Sequence, residues 1–359
     1  MPDPTPPTTV PPHSAAATTA SKSGPPPQVA VIMTSYNARA TVARALASLQ
    51  NQRTDTPFET LLIDSGTDDT ADLVARDFPW VRLLRFEQRK YCGTGRNIGI
   101  AASSAPVIAF FDCDCEAAPD FIDRVLAAHR ARPTASIGGS VDNANPESAA
   151  GWAYWFTEFA GWAPGLPAGD IDDVPGCSMS IKRAGYERFG PFLEGSYCSD
   201  SAFHWEMARA GQRPYFEPAI RVAHINPTDY GHTVAHAVSH GAQFGRVRRR
   251  EAGPGSWRLW AWRLGGPVIP LLLAARTAGR VWASGQKRGR FVRSLPRVFL
   301  VQSAWAWGEW TSYWAPQASA ATGEANAGSA DVGAPEKTSA QAAATEANRK
   351  APADAGAGA

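Results

Sequence analysis

The stretch "PVIAFFDCD", residues 106–114, runs apolar for six residues and then places two aspartates, Asp112 and Asp114, one residue apart. The apolar half reads as a buried strand, and the acids stand at its carboxyl end. Side chains two apart on a strand share a face, about 6.6 Å between Cα atoms from the ~3.3 Å rise. Carboxylates that close either raise one pKa or share a cation. Hard oxygen ligands suit Mg²⁺ or Mn²⁺, which commonly bridge a carboxylate and substrate phosphates. A D-x-D alone is as compatible with a solvated loop cap. Its position after a buried strand is what points to a site.

Working outward, "VAVIMTSY" (29–36), "FETLLIDSG" (58–66) and "VRLLRF" (81–86) are further strand-like runs. Between them lie "ARATVARALASLQNQ" (38–52), with helical apolar spacing at Val42, Ala45, Leu46 and Leu49, and "DDTADLVARDF" (68–78), whose acidic start suits a helix N-terminus. A third helix-like segment, "GRNIGIAASSA" (95–105), precedes the Asp112 strand. Strands alternating with helices imply right-handed βαβ units and a Rossmann-like, mostly parallel sheet in an α/β fold. Ligands bind such sheets beyond the carboxyl ends of the strands, where Asp64 and Asp112 both fall.

Composition bounds this reading. Residues 1–27 are mostly Pro, Thr, Ala and Ser, and residues 316–359 are rich in Ala, Gly, Glu and Thr. Neither can bury enough apolar surface to offset chain ordering, so both are expected to be disordered tails. No apolar h-region follows the start, so a secretion signal is not expected. Five cysteines without a CxxC pair provide no disulfide framework and fit a reducing compartment. Net charge is only +2, yet residues 241–300 carry thirteen basic side chains against one acid, Glu251.

Taken together, five segments in this order resemble the family 2 glycosyltransferases of the GT-A fold. They are "VAVIMTSYNARATVARALASLQNQ", "TLLIDSGTDDT", "GTGRNIGIAASSAPVIAFFDCDCEAAPDF", "VPGCSMSIKRAGYERFGPF" and "CSDSAFHWEMARAGQRPYFEPAIRVAHI", covering roughly residues 29–225. The resemblance implies inverting transfer of a sugar from a nucleotide-diphosphate donor to an acceptor hydroxyl, with Mn²⁺ or Mg²⁺. It implies donor contacts at Thr34, Tyr36, Asn37, Asp64, Arg96, Asn97 and Asp112, and a metal site of Asp112, Asp114 and His224. It makes Asp200 the catalytic base, expected on a turn leading into a helix with apolar spacing at Phe203 and Met207. Cys177 and Ser178, in "GCSMS", fall on the acceptor side. So do Gln243 and Arg246 in "QFGRV", a faint likeness to the Q-x-x-R-W of processive members in which Val247 replaces the Trp.

The chain departs from the family pattern in places. The turn after Asp64 is short, Ser199 replaces a usual glutamate, and Trp205-Glu206 stands where an aromatic and arginine are common. These bear on acceptor identity more than on reaction class. The competing class is a non-catalytic scaffold that keeps the fold, and Asp112, Asp114, Asp200 and His224 together speak against it. A nucleotidyltransferase would carry a Gly-rich triphosphate loop near the first strand, and "MTSYNARAT" has none.

Beyond the first domain (28–245), residues 246–315 hold eight of the thirteen tryptophans. Their longest uncharged runs, Leu264 to Ala275 and Val298 to Gly308, fall short of the ~20 residues that span a bilayer. Interleaved Arg and Trp suit helices lying in the headgroup region against anionic lipid. The expectation is a membrane-associated helical appendage on the cytoplasmic face, serving a glycan or lipid-linked acceptor in envelope synthesis. Nucleic acid is not an expected partner, because the apolar Pro-Leu-Leu-Leu core favours lipid. His232, His236 and His240 recur at four-residue spacing on one helix face, read as a polar face near the site or membrane rather than zinc ligands.

Overall fold

The computed structural model describes residues 25–253 and 255–315; the tails expected to be disordered lie outside these, apart from 25–27. The chain begins β1 (Val29–Ser35), α1 (Val42–Gln50), β2 (Phe58–Asp64), α2 (Thr70–Asp77), β3 (Arg82–Arg85), α3 (Cys92–Ala101) and β4 (Val107–Phe110). It continues with β5 (Cys115–Ala117), α4 (Phe121–Ala131), β6 (Ser136–Asn143), α5 (Ala149–Glu158), β7 (Gly169–Asp170), β8 (Met179–Lys182) and α6 (Arg183–Phe189). Then come α7 (Ser199–Arg209), β9 (Tyr215–His224), α8 (Tyr230–Ala252), α9 (Trp257–Gly265), α10 (Ile269–Ser284) and α11 (Arg288–Ser312).

The expected α/β alternation is present. One sheet runs β3-β2-β1-β4-β8-β6-β9-β5, with β7 beside β9. It is parallel from β3 to β4 and again at β6–β9, and antiparallel where β8 and β5 join. Alternation along β1 sends Val29, Val31 and Met33 into one apolar layer and Ala30 and Ile32 into the other. Helices α1 and α4 cover the first face; α3, α6 and α7 cover the second. Phe203 and Met207 of α7 are fully buried in that second layer, as their spacing implied. Each such side chain contributes roughly 1.5–3 kcal/mol on burial. Helix α3 begins at Cys92 and stops at Ala101, short of the 95–105 expected. The chain instead turns through Ser103, whose Oγ accepts the Ala105 N–H at 3.1 Å, because a residue preceding Pro106 disfavours helix.

Helix α8 runs unbroken through residues 245 and 246, so the expected domain boundary falls inside a helix. Helix α11 packs along it with little between. A Cβ on Gly241 would lie 2.0 Å from the Trp305 carbonyl oxygen, and one on Gly308 would lie 2.0 Å from that of Val238. Phe291, Val298 and Val301 carry the inner face of α11 into the first apolar layer. Glu309, only 2% exposed, accepts from Arg248 Nη1 at 2.7 Å and from the Tyr313 hydroxyl. No helix among the described residues is long and apolar enough to cross a membrane.

Candidate active site

The register places the sequence-predicted acids on one edge. Ser35 pairs with Asp64 across β1–β2, and Ile32 pairs with Phe110 across β1–β4, so the chain after Phe110 emerges beside the other strand ends. Asp64 is 3% exposed and its Oδ1 has no hydrogen-bond partner among the described residues. Burial pushes its carboxyl above the usual range. Asn37, at φ 55°, accepts the Thr67 and Asp68 N–H groups at 2.7 and 3.2 Å through Oδ1, which ties the loop after β1 to the loop after β2. Thr34 packs where a Cβ on Gly95 would stand, 2.4 Å from its Cγ2, so α3 sits close against β1. Arg89 lies 4.0 Å over the Tyr36 ring and donates to the Tyr197 hydroxyl at 2.6 Å.

The aspartates after β4 divide. Asp114 meets His224, Nε2 to Oδ1 at 3.4 Å, because β5 pairs antiparallel with β9 and sets Cys115 opposite His224. Asp114, Cys115 and His224 bring their ligand atoms within 4.8 Å of one another; Asp112 stands outside this group. Burial and Asp114 push the Asp112 carboxyl up to about 6, while Arg96 and His224 oppose the shift.

The donors fit a hard divalent ion. Asn226 Nδ2 donates to Asn143 Oδ1 at 2.8 Å, which makes Asn226 Oδ1 an acceptor for His224 Nδ1 at 3.0 Å. That bond fixes the tautomer and leaves the Nε2 lone pair beside Asp114. Burial raises the Cys115 thiol well above its usual range and keeps it protonated, a poor ligand for such an ion. Asn226 was not singled out from sequence. Its signal is a polar residue two positions past the histidine that closes β9.

Arg96 is 4% exposed and donates Nη1 to Ser199 Oγ at 2.9 Å. Its guanidinium lies 5.2 Å from the Phe110 ring centroid and 5.6 Å from that of Phe192. A Cβ on Gly176 would stand 2.2 Å from Arg96 Nη2 and 2.7 Å from Asp200 Oδ2. Glycine there lets a cation and a carboxylate face the same small volume. Asp200 lies inside the first turn of α7, not on a turn before it; Cys198 occupies the N-cap. Its Oδ1 accepts the adjacent Ser201 N–H at 3.0 Å. An acid in that turn is favoured by the helix dipole.

Helix α7 is pinned by residues the sequence did not reveal. Asp173 accepts from Ser201 Oγ at 2.6 Å and pairs with His204 Nδ1 at 2.6 Å, and His204 Nε2 meets Ser136 Oγ at 3.0 Å. This hydroxyl–imidazole–carboxylate chain cannot serve as a nucleophilic triad, because Ser136 and His204 are 0% exposed. It sets the register of α7 and so the place of Asp200.

The remaining expected site residues have these surroundings. Asn97 faces the 192–194 loop: Nδ2 donates to Phe192 O and Glu194 Oε1, both at 3.0 Å, and Oδ1 accepts the Phe192 N–H at 3.0 Å and the Tyr186 hydroxyl at 3.2 Å. Cys177 and Ser178 are buried, 3% and 2% exposed. Gln243 does reach the Asp200 loop, accepting the Tyr197 N–H at 3.2 Å, whereas Arg246 is exposed and touches no site residue among those described.

Residues 30–186 match the sequence model of glycosyl transferase family 2. A validoxylamine A glucosyltransferase of Streptomyces hygroscopicus subsp. jinggangensis (strain 5008) is 31% identical over 114 residues, 30% of this chain and 27% of that protein. A pre-mycofactocin glycosyltransferase of Mycobacterium tuberculosis (strain CDC 1551 / Oshkosh) is 24% identical over 223 residues, 59% of this chain and 46% of that protein. The match thus spans about a quarter of the first of these relatives and under half of the second. Among solved structures, the mannosyltransferase PcManGT from Pyrobaculum calidifontis, in complex with GDP-Man and Mn²⁺, is similar over 80% of this chain and 85% of that one, at 18% identity and TM-score 0.49.

Proposed function

We propose that the chain is a glycosyltransferase of GT-A architecture, since residues 30–186 match the sequence model of glycosyl transferase family 2, and that it moves a sugar, with inversion, from a nucleotide-diphosphate donor to an acceptor hydroxyl. The observation that carries this reading is the approach of Arg96 Nη2 and Asp200 Oδ2 to one point over Gly176, beside Asp112. A departing diphosphate accumulates negative charge, and a buried guanidinium fixed in advance lowers the barrier to that build-up. Asp200, as base, would take the acceptor proton, typically contributing roughly 10²–10⁴ in rate. Asp64 offers its unpartnered buried oxygen to a ribose or base donor group.

Asp114 and His224 are the residues that would hold the ion, with Asp112 behind them to offset its charge. A bound Mn²⁺ or Mg²⁺ supplies positive charge against the donor diphosphate, and the imidazole in the donor set favours Mn²⁺.

The acceptor side of the proposal is a glycan or lipid-linked molecule in envelope synthesis, reached at the cytoplasmic face of a membrane. Support comes from the surface. All thirteen exposed large hydrophobic side chains among the described residues fall between Trp257 and Trp314. No acid lies from Ala252 to Gly308, while nine Arg and Lys do. That combination suits anionic lipid.

The test is a panel of UDP- and GDP-sugars assayed for hydrolysis or transfer with Mn²⁺ and with chelator. Metal-dependent turnover of one donor is expected. Neither turnover nor binding of any donor would sink the proposal.

A further inference from the structure

Helix α8 carries His232, His236 and His240 on one face, and this face sits between the two halves of the candidate site. On one side, Tyr154 of α5 stacks on the His224 ring at 5.8 Å and 22°, and its hydroxyl meets His236 Nε2 at 3.5 Å. On the other side lies the loop that leads to Asp200. The Tyr197 ring stands at 64° to that of His236, centroids 6.4 Å apart, and its N–H is held by Gln243 one turn past the ladder. His236 thus lies between Tyr154, which stacks on His224, and Tyr197 of the loop that leads to Asp200.

The rungs are not equivalent. His240 forms an ion pair with Glu158 at 3.5 Å, which anchors α8 to the end of α5. Against burial, which opposes charge, Glu158 holds His240 well above the usual histidine range. Burial, with the cationic His240 next to it, pushes His236 down to about 4. At neutral pH His236 is therefore an uncharged imidazole, able to donate one hydrogen bond and accept another. Metal binding does not suit it. Its ring lies nearly parallel to that of His232, at 18°, and the metal-type group among the described residues is elsewhere.

Resting on the glycosyl-transfer reading, we propose that His236, flanked by Tyr154 and Tyr197, is the acceptor subsite and that it takes an uncharged saccharide. A neutral imidazole matches sugar hydroxyls, and aromatic rings on either side match the apolar C–H faces of a pyranose.

The experiment uses the full chain and, as probes, octyl glycosides of glucose, mannose and galactose. Binding is followed by saturation-transfer NMR, and affinity for UDP and GDP by calorimetry. One glycoside is expected to bind, with His236→Ala weakening it about tenfold, the loss of one hydrogen bond and a stacking contact. His236→Asn should recover part of the affinity, and nucleotide affinity should hold in both variants. Unchanged glycoside binding in His236→Ala, equal loss of nucleotide and glycoside, or no glycoside binding by the wild type overturns the subsite. If the wild type turns over no donor while glycoside binding is still lost in His236→Ala, the transfer reading fails and the subsite stands.

Discussion

His224 Nε2 stands 3.4 Å from Asp114 Oδ1, although Asp114 lies in the turn before β5 and His224 ends β9, far along the chain. The antiparallel pairing of β5 with β9 creates this meeting, and Asn226 orients the imidazole. Asp114→Ala is expected to abolish metal-dependent nucleotide binding. Asn226→Leu should weaken Mn²⁺ binding by about 10–100-fold while leaving both ligands in place. Calorimetry with Mn²⁺ and UDP or GDP reads both, and an unaltered Mn²⁺ affinity in Asn226→Leu would refute the orienting role.

Asp200→Asn should spare donor binding and cut transfer by roughly 10²–10⁴. Unchanged turnover would remove Asp200 from the role of base.

Gly176→Ala tests the shared volume without altering any charged group. The added methyl would meet the ends of two side chains, Arg96 and Asp200, which can move, so the fold should survive. A displacement near 1 Å costs turnover about 10²-fold. Full activity in a well-folded variant would show that the two groups do not act on one point.

A pH effect on stability is expected from His129, which bonds Ser180 Oγ at 2.9 Å and is 4% exposed. Burial, assisted by the nearby Lys182 charge, pushes it down to about 3. The unfolded chain binds this proton below its ordinary value near 6.5 and the folded chain does not. Stability from this residue is thus complete above about pH 6.5 and declines toward pH 3, by up to ~1.4 kcal/mol per pH unit. Urea midpoints at pH 7 and pH 5 should differ more in the wild type than in His129→Gln. An equal difference would contradict the assignment.

The apolar outer surface predicts salt-sensitive flotation with phosphatidylglycerol vesicles. Replacing both Leu271 and Leu272, 60% and 63% exposed, by Glu should reduce partitioning at least about 100-fold, from roughly 1.5–3 kcal/mol per leucine. Full recovery of the wild type in low-salt supernatant without vesicles bound would exclude the lipid surface.

The placing of the acids at one sheet edge was legible because it is local. Asp64 and Asp112 directly follow apolar runs, and strand ends define where ligands bind. What could not be read depends on partners far along the chain. Nothing near Glu158 announces His240, nothing near Ser136 announces His204, and nothing near Asn97 announces its bonds to the 192–194 loop. Nor does the surrounding sequence tell that Cys177 and Ser178 are buried, since their loop has no strand or helix periodicity.

The glycines between α8 and α11 have a mechanical consequence. With backbone against backbone at Gly241 and Gly308, no cushion of side chains separates the two helices. On the proposed lipid and acceptor readings, a grip on the outer surface of α11 would be passed directly to the imidazole rungs of α8, so that anchoring and substrate alignment would share a single lever.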